Sequence, residues 1–468
     1  MIRLADTFQH FLNKKGINAF SQLFHKFVET DLFLLFYFVI CLLNWKFHLV
    51  YLATIIGIIL IFLIIVFNEN RFRIVPVILF FVTSLRLNQP NDYLWPAIIA
   101  SIVIFPLILF DLFKKSLKLN NQILIGMFFL LIAMVFSIIN SPNLIMPILG
   151  ILMMIVYILI FLYFFNKKQD YEQDRIWLYI AKSFTYFGML ILLETILYNF
   201  EVATSSNFLS FFNWKAINLS WANTNYIAML YLTIIPLTAY WYSKTQKHFY
   251  LIIVMLVELL ALILMISRGA YLAILISGLP FLVVFIMDIK NKIAITQKTL
   301  ILINLFLILM LIVAIPTGIV KSFFDVLNSR GLSLSGRELL YRVGLSVFQR
   351  YPLFGGGIYT SEYYLSLVST SVYYHNFIIH TLATMGIFGM VAFGFYLFQI
   401  YRQSLLKCSY NTYIFFIVLG ISVHGLFDTA FYNPLIMVVL SIILPPMLDK
   451  STLNELSRKE LTNVYNKN

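Results

Sequence analysis

Eight charged or titratable side chains in the second half of the chain could do chemistry: Arg268, Arg330, Arg337, Arg342, Arg350, His375, His424 and Asp428. A guanidinium is a planar fork of donors that stays charged and matches the oxygens of a phosphate group. A histidine titrates near neutral pH and can take the proton of a hydroxyl. Asp428 could orient such a base or pair with an arginine, and pairing is the expected role. These types together fit an anionic substrate and a step in which a hydroxyl is activated. The blander readings are a snorkelling arginine at 268, an interfacial helix whose arginines meet lipid headgroups, and a histidine that only hydrogen-bonds beside its tyrosines.

The neighbours of these residues sharpen the reading. Arg268 lies in Met265-Ile266-Ser267-Arg268-Gly269-Ala270, where small residues leave room near the guanidinium. Ser335-Gly336-Arg337-Glu338 leads into a predicted helix that runs on to Arg350. Leu339, Leu340, Val343 and Val347 would pack on the membrane surface, with Arg337, Tyr341 and Arg342 facing water or a cleft. Pro352-Leu353-Phe354-Gly355-Gly356-Gly357-Ile358-Tyr359 closes that helix, and its glycines permit a tight turn or a close backbone approach to a ligand. No Gly-Lys-Ser/Thr follows, so this is not a nucleotide phosphate loop. His375 and Asn376 mark a re-entry into apolar sequence, and His424-Gly425-Leu426-Phe427-Asp428 follows the next apolar run.

The elements that must position these residues are membrane helices. The chain has 468 residues, 61% of them hydrophobic and 11% charged, with a mean hydropathy of +0.90. Too little polar surface remains for a soluble protein of this size. Apolar runs fall near 31–45, 48–67, 73–87, 93–113, 122–140, 144–165, 176–199, 226–242, 249–267, 270–287, 299–320, 375–400, 411–430 and 434–448. The predicted fold is an all-α polytopic transmembrane bundle of about 12–14 spans with a long outer loop containing short helices. Residues 1–30 read as a cytoplasmic or interfacial segment, 31–448 as one transmembrane domain with the loop 321–374 outside, and 449–468 as a cytoplasmic tail.

With both ends inside, Arg71, Arg73, Lys114, Lys115, Lys167, Lys168, Lys244, Arg402 and Lys407 are cytoplasmic, as the positive-inside rule requires. The loop arginines at 330, 337, 342 and 350 then stand on the opposite face, which an anionic substrate handled there would explain. The net charge of +13 is mostly this topology, so no nucleic-acid partner is expected. Cys41 and Cys408 give neither a disulfide framework nor a thiolate metal site. The predicted outer segments hold Asp92, Glu201, Asp325, Glu338, Glu362 and Asp428, with no Asp-x-Asp pair suited to Mg²⁺ or Mn²⁺. The charge of an anionic substrate must be neutralised by metal or by fixed cations. The expectation is fixed arginines, with no metal and no cofactor.

Ser-Arg-Gly-Ala at 267–270, Gly-Arg at 336–337, Pro-Leu-Phe-Gly-Gly-Gly-Ile at 352–358, His-Asn at 375–376 and His-Gly-Leu-Phe-Asp at 424–428, in this order, resemble the O-antigen ligase and polymerase superfamily. Trp221-Ala222-Asn223-Thr224-Asn225 and Met385-Gly386-Ile387 fit the same pattern, so the resemblance covers about 221–434. It implies transfer of a glycan from an undecaprenyl-pyrophosphate carrier to an acceptor hydroxyl on the outer face of a bacterial cytoplasmic membrane. By the resemblance, Arg268 and Arg337 would bind the pyrophosphate and His375 would be the base, with inversion at the anomeric carbon. Arg342 would assist at the pyrophosphate, Asn376 and Asp428 would support, and Arg330 and Arg350 have no assigned role.

Within that family a polymerase extends a lipid-linked chain, whereas a ligase or protein O-oligosaccharyltransferase moves the chain to another acceptor. Richness in Ile, Phe, Asn and Lys points to an AT-rich genome, which tilts the expectation to a capsular or exopolysaccharide polymerase. A chain-length regulator is a possible further partner. The alternative class is a flippase for lipid-linked oligosaccharide, whose cations would line a central cavity. Here the unusual cations cluster in outer loops, and loss of function at Lys182 or Glu258 would favour transport.

Overall fold

A computed structural model describes residues 15–84, 102–202, 214, 217–245, 248–289, 301, 305, 337–366, 368–369 and 371–448. Arg330, residues 93–101 of the expected span near 93–113, most of the expected span near 299–320, and the tail 449–468 lie outside the described residues. The architecture is helical, with one isolated bridge between Asn218 and Asn223 and no strand among the described residues.

In chain order the helices are α1 (Lys15–Val28), α2 (Asp31–Phe47), α3 (Val50–Phe67), α4 (Val75–Phe81), α5 (Ile102–Leu112), α6 (Gln122–Ser137), α7 (Ile145–Lys167) and α8 (Gln173–Val202). They continue as α9 (Thr224–Thr245), α10 (Tyr250–Leu264), α11 (Arg268–Ile289), α12 (Arg337–Arg350), α13 (Ser361–Leu365), α14 (Phe377–Ser404), α15 (Ser409–Gly425) and α16 (Pro434–Ile443). Six helices among the described residues are long and apolar enough to cross a membrane, or seven if α1 and α2, bent by 79°, form one span. This is an all-α polytopic bundle. Fewer helices qualify than the 12–14 expected because α10 and α16 are short and parts of other runs lie outside the described residues.

The bundle is organised around α9, which is buried on nearly every face between α8, α10 and α15. A helix apolar all round must be enclosed in this way. Basic residues gather at one end, where the buried Asp111 accepts from Arg71 Nε at 2.9 Å, Lys167 Nζ at 2.9 Å and the Tyr163 hydroxyl at 3.1 Å. At the same end Lys168 Nζ donates to the Met447 carbonyl and Trp177 Nε1 to the Pro446 carbonyl, at 3.0 Å each.

The opposite end carries the candidate chemistry. There α14 is broken at Gly386 (φ +66°), and the loop that closes α12 supplies the backbone partners the break removes. Ile387 and Phe388 amides donate to the Pro352 and Leu353 carbonyls at 2.9 and 3.1 Å, while the Gly356 and Gly357 amides donate to Ala383 and Thr384 at 2.8 and 3.0 Å. An added Cβ at Gly355 or Gly386 would fall inside the opposing backbone. The glycine run therefore makes its close approach to a helix break, where unsatisfied backbone groups are costly in a membrane protein.

Helix α12 also differs from expectation in what it packs on. Leu340, Gly344 and Val347 are buried against Tyr374, Leu365 and Ala383, so its apolar face lies on protein instead of the membrane surface. Gly344 permits this, because a side chain there would collide with Ile379 and Tyr374. Leu339 remains exposed.

Candidate active site

His375 is delivered to the site by a strained turn. Its φ is +50°, a conformation that costs a β-carbon residue free energy and is held here on both sides. The Tyr341 hydroxyl donates to the His375 carbonyl at 3.3 Å. On the other side Asn376 caps α14, accepting from the Ile378 and Ile379 amides at 2.9 and 3.1 Å while its amide donates to the Leu426 carbonyl at 3.0 Å. Asn376 thus ties the start of α14 to the chain leaving α15.

The same tie brings Asp428 to His375. His375 Nδ1 lies 3.2 Å from Asp428 Oδ1, with the imidazole 27% exposed and the carboxylate 3%. Asp428 also accepts from the Thr429 amide at 2.8 Å and from Asn225 Nδ2 at 3.1 Å. Burial by itself would raise the Asp428 pKa, but the hydrogen bond and charge of His375, the charge of His424 and the Thr429 amide override it and bring it to about 2. The carboxylate is therefore ionised at any physiological pH. Pairing with an arginine was the expected role; the observed neighbour is the histidine.

An ionised carboxylate at Nδ1 holds the proton there and leaves Nε2 as the basic nitrogen. Nε2 faces Ser371 Oγ at 3.1 Å, and the Ser371 hydroxyl is also 3.0 Å from the Tyr373 carbonyl. That hydroxyl can donate to a neutral Nε2, or turn to Tyr373 and accept from a protonated one. Both charge states of His375 are accommodated without moving the backbone.

The arginines approach from two helices. Arg268 opens α11 directly after Ser267, whose hydroxyl is 3.2 Å from His424 Nε2. Gly269 packs against His424 and Phe427, so the start of α11 abuts the turn that ends at Asp428. Arg337 opens α12, one turn before Tyr341. The Tyr341 phenol is pushed up first by burial, pulled down by the Arg337 cation and pushed up by Asp428. Arg342 instead lies on the outer face of α12, paired with Glu338 Oε1 at 2.6 Å with both side chains mostly exposed. Arg350 stacks over Tyr351 with its guanidinium carbon 5.3 Å from the ring centre.

Residues that sequence reasoning passed over also meet here. Ser371 and Tyr341 touch His375, and Asn225, from the Asn-rich entry to α9, holds the second oxygen of Asp428. Tyr341 is expected to face water or a cleft and carries no assigned role, and nothing in its spacing marks Ser371. Among the described residues no group of three His, Cys, Asp or Glu side chains is disposed to hold a metal ion.

Residues 250–394 match the family model described as O-antigen ligase. No curated protein matches the chain. The matched stretch carries Arg268, Arg337, His375 and the broken α14, while Asn225 and Asp428 lie on either side of it and complete the site. The chain is a multi-pass membrane protein whose residues 250–394 are similar to the O-antigen ligase family, which supports a glycosyltransferase of the ligase or polymerase type.

Proposed function

We propose that this protein transfers a glycan from undecaprenyl pyrophosphate to a sugar hydroxyl on the outer face of a bacterial cytoplasmic membrane, with polymerisation of capsular, exo- or O-antigen repeat units as the favoured reaction. The observation that carries this reading is the His375–Asp428 pair at the end of the bundle where Arg268 and Arg337 begin their helices. In the reaction His375 Nε2 takes the proton of the acceptor hydroxyl, and that oxygen attacks the anomeric carbon. The bond from that carbon to the phosphate oxygen breaks, so the anomeric configuration inverts and undecaprenyl pyrophosphate leaves. Arg268 and Arg337 receive the charge that grows on the leaving oxygen, where preorganised cations act most strongly. Arg342, paired on the outer face, takes a lesser part. The imidazolium formed is stabilised by Asp428.

Positive-inside topology supports the outer location, because the opposite end carries Arg71, Arg73, Lys114, Lys115, Lys167 and Lys168. Lys182, a residue a transport mechanism would use, is paired with Asp31 at 2.9 Å, which favours a structural role for it. The arginines replace a metal in this scheme, so EDTA should leave the purified activity intact; abolition by EDTA and rescue by Mg²⁺ would remove that part of the reading. Polymerase and ligase separate by product. Protein in liposomes with one lipid-linked repeat unit should give a ladder of chain lengths if it polymerises, and a single transfer to a different acceptor if it ligates.

A further inference from the structure

A polar cavity lies at the same end of the bundle, away from His375. It has a volume of about 220 Å³ and is formed where α2 turns into α3, beside the end of α8 and the turn at Asn218–Ser220. Asn44 lines it, is 3% exposed, and neither its amide nitrogen nor its amide oxygen has a hydrogen-bond partner among the described residues. A buried amide with both functions unmet costs stability, and such groups call for an explanation. Trp45, Tyr198, Thr83, Ser220 and Glu201 also line it.

We infer that this cavity is a subsite for one sugar ring of the acceptor glycan. The inference rests on the glycosyl-transfer reading above. A sugar ring offers hydroxyls that both donate and accept, which is what an unpartnered carboxamide requires. It also offers an apolar C–H face of the kind that packs on Trp45 and Tyr198. Among the described lining residues there is no arginine or lysine, and Glu201, which lines the cavity, is paired with the nearby Lys46, a setting that suits hydroxyls better than a pyrophosphate. Its polar wall equally disfavours a lipid chain. It can hold one ring and no more, with the rest of the glycan outside.

The cavity is tied to the reaction centre by a short piece of chain. Asn218 and Ser220 form one side of the cavity, and the turn closes through the Leu219 amide to the Ala222 carbonyl at 3.1 Å. Asn223 then caps α9, accepting from the Asn225 and Tyr226 amides, and Asn225 donates to Asp428. An acceptor seated in the cavity would therefore lie along the turn that leads to the base, with its reacting hydroxyl at His375.

The test uses full-length protein in nanodiscs, with the repeat-unit oligosaccharide released from its lipid carrier by mild acid as the probe. Binding is read by saturation-transfer NMR and folding by thermal melting, in a His375→Ala background and with Asn44→Leu added. The expected result is at least ten-fold weaker oligosaccharide binding in the Asn44→Leu protein together with an unchanged or higher melting temperature. A purely structural Asn44 would give the higher melting temperature with binding unchanged, and that result overturns the subsite. If Asn44→Leu fails to fold, Trp45→Leu is measured instead, with the same loss expected and the same unchanged binding overturning the proposal. Wild-type protein that binds the oligosaccharide yet transfers nothing would sink the transfer reading and leave the subsite standing. Wild-type protein that transfers but shows no binding lost on Asn44 or Trp45 substitution sinks the subsite alone.

Discussion

Replacing Asp428 by Asn removes one charge and little volume from the centre of the proposed chemistry. The carboxylate is 3.2 Å from His375 Nδ1 and buried, so its interaction with the imidazolium is poorly screened. For two unit charges about 4 Å apart at an effective dielectric near 20, the attraction is roughly 4 kcal/mol. A hydrogen bond to a charged group alone contributes about 1.5–3 kcal/mol. The carboxamide keeps a weak bond but can also donate to the Nδ1 lone pair, which stabilises the tautomer protonated at Nε2 and removes the basic nitrogen the reaction needs. Taking about 3–4 kcal/mol as the loss in the transition state, kcat should fall by roughly 10²–10³ at about 1.4 kcal/mol per decade. The donor KM should hold, because Arg268 and Arg337 are untouched. The assay is initial-rate transfer by purified protein in liposomes, with the melting temperature as a control for folding. A folded Asp428→Asn protein working within a few-fold of wild type would refute the idea that Asp428 positions and charges the base.

Further outcomes follow from the same geometry. Arg268→Lys and Arg337→Lys should each raise the donor KM by about ten-fold or more, since an ammonium cannot supply the paired donors of a guanidinium; binding of undecaprenyl pyrophosphate by the purified variants checks this. Arg342→Ala should change stability by less than about 1 kcal/mol, as an exposed pair with Glu338 contributes little, and thermal melting reads it directly. Gly355→Ala should cost about 2 kcal/mol or more, because φ is +69° and the new methyl meets the backbone of Thr384 and Met385; a melting temperature equal to wild type would contradict the packing described for the α14 break. Asp428 is held near pH 2, below its unfolded value, so its contribution of about 2 kcal/mol is complete above pH 4 and is lost as the pH falls from about 4 to about 2. Acid melting curves of wild type and Asp428→Asn should converge over that window.

The membrane class and the helix Arg337–Arg350 were legible in the sequence, because a 20-residue apolar period and a Gly-Arg-Glu helix start are local signals. The His375–Asp428 contact was not, since 53 positions separate the partners and the tie between them runs through Asn376 and the Leu426 carbonyl. The glycine run at 355–357 was open between a ligand contact and a turn. Its real partner is a helix break at Gly386 some thirty positions on, and no periodicity announces a break inside an apolar helix. The face of α12 was read correctly as apolar but given to the lipid, because composition does not say whether protein or membrane will cover it. The Asn44 cavity was not legible in sequence, since its lining comes from segments far apart in the chain, near 44–50, 83–84, 198–201 and 218–220.

The central claim is that His375 is the base for glycan transfer. The most direct test is the multiple-turnover reaction of purified protein in liposomes with excess lipid-linked repeat unit, comparing initial rates of wild type and His375→Ala, each confirmed folded by thermal melting. The account predicts a product ladder from wild type and a loss of about 10³ or more in the variant, with the lipid-linked donor still bound. A variant that makes the ladder at a wild-type rate would contradict it.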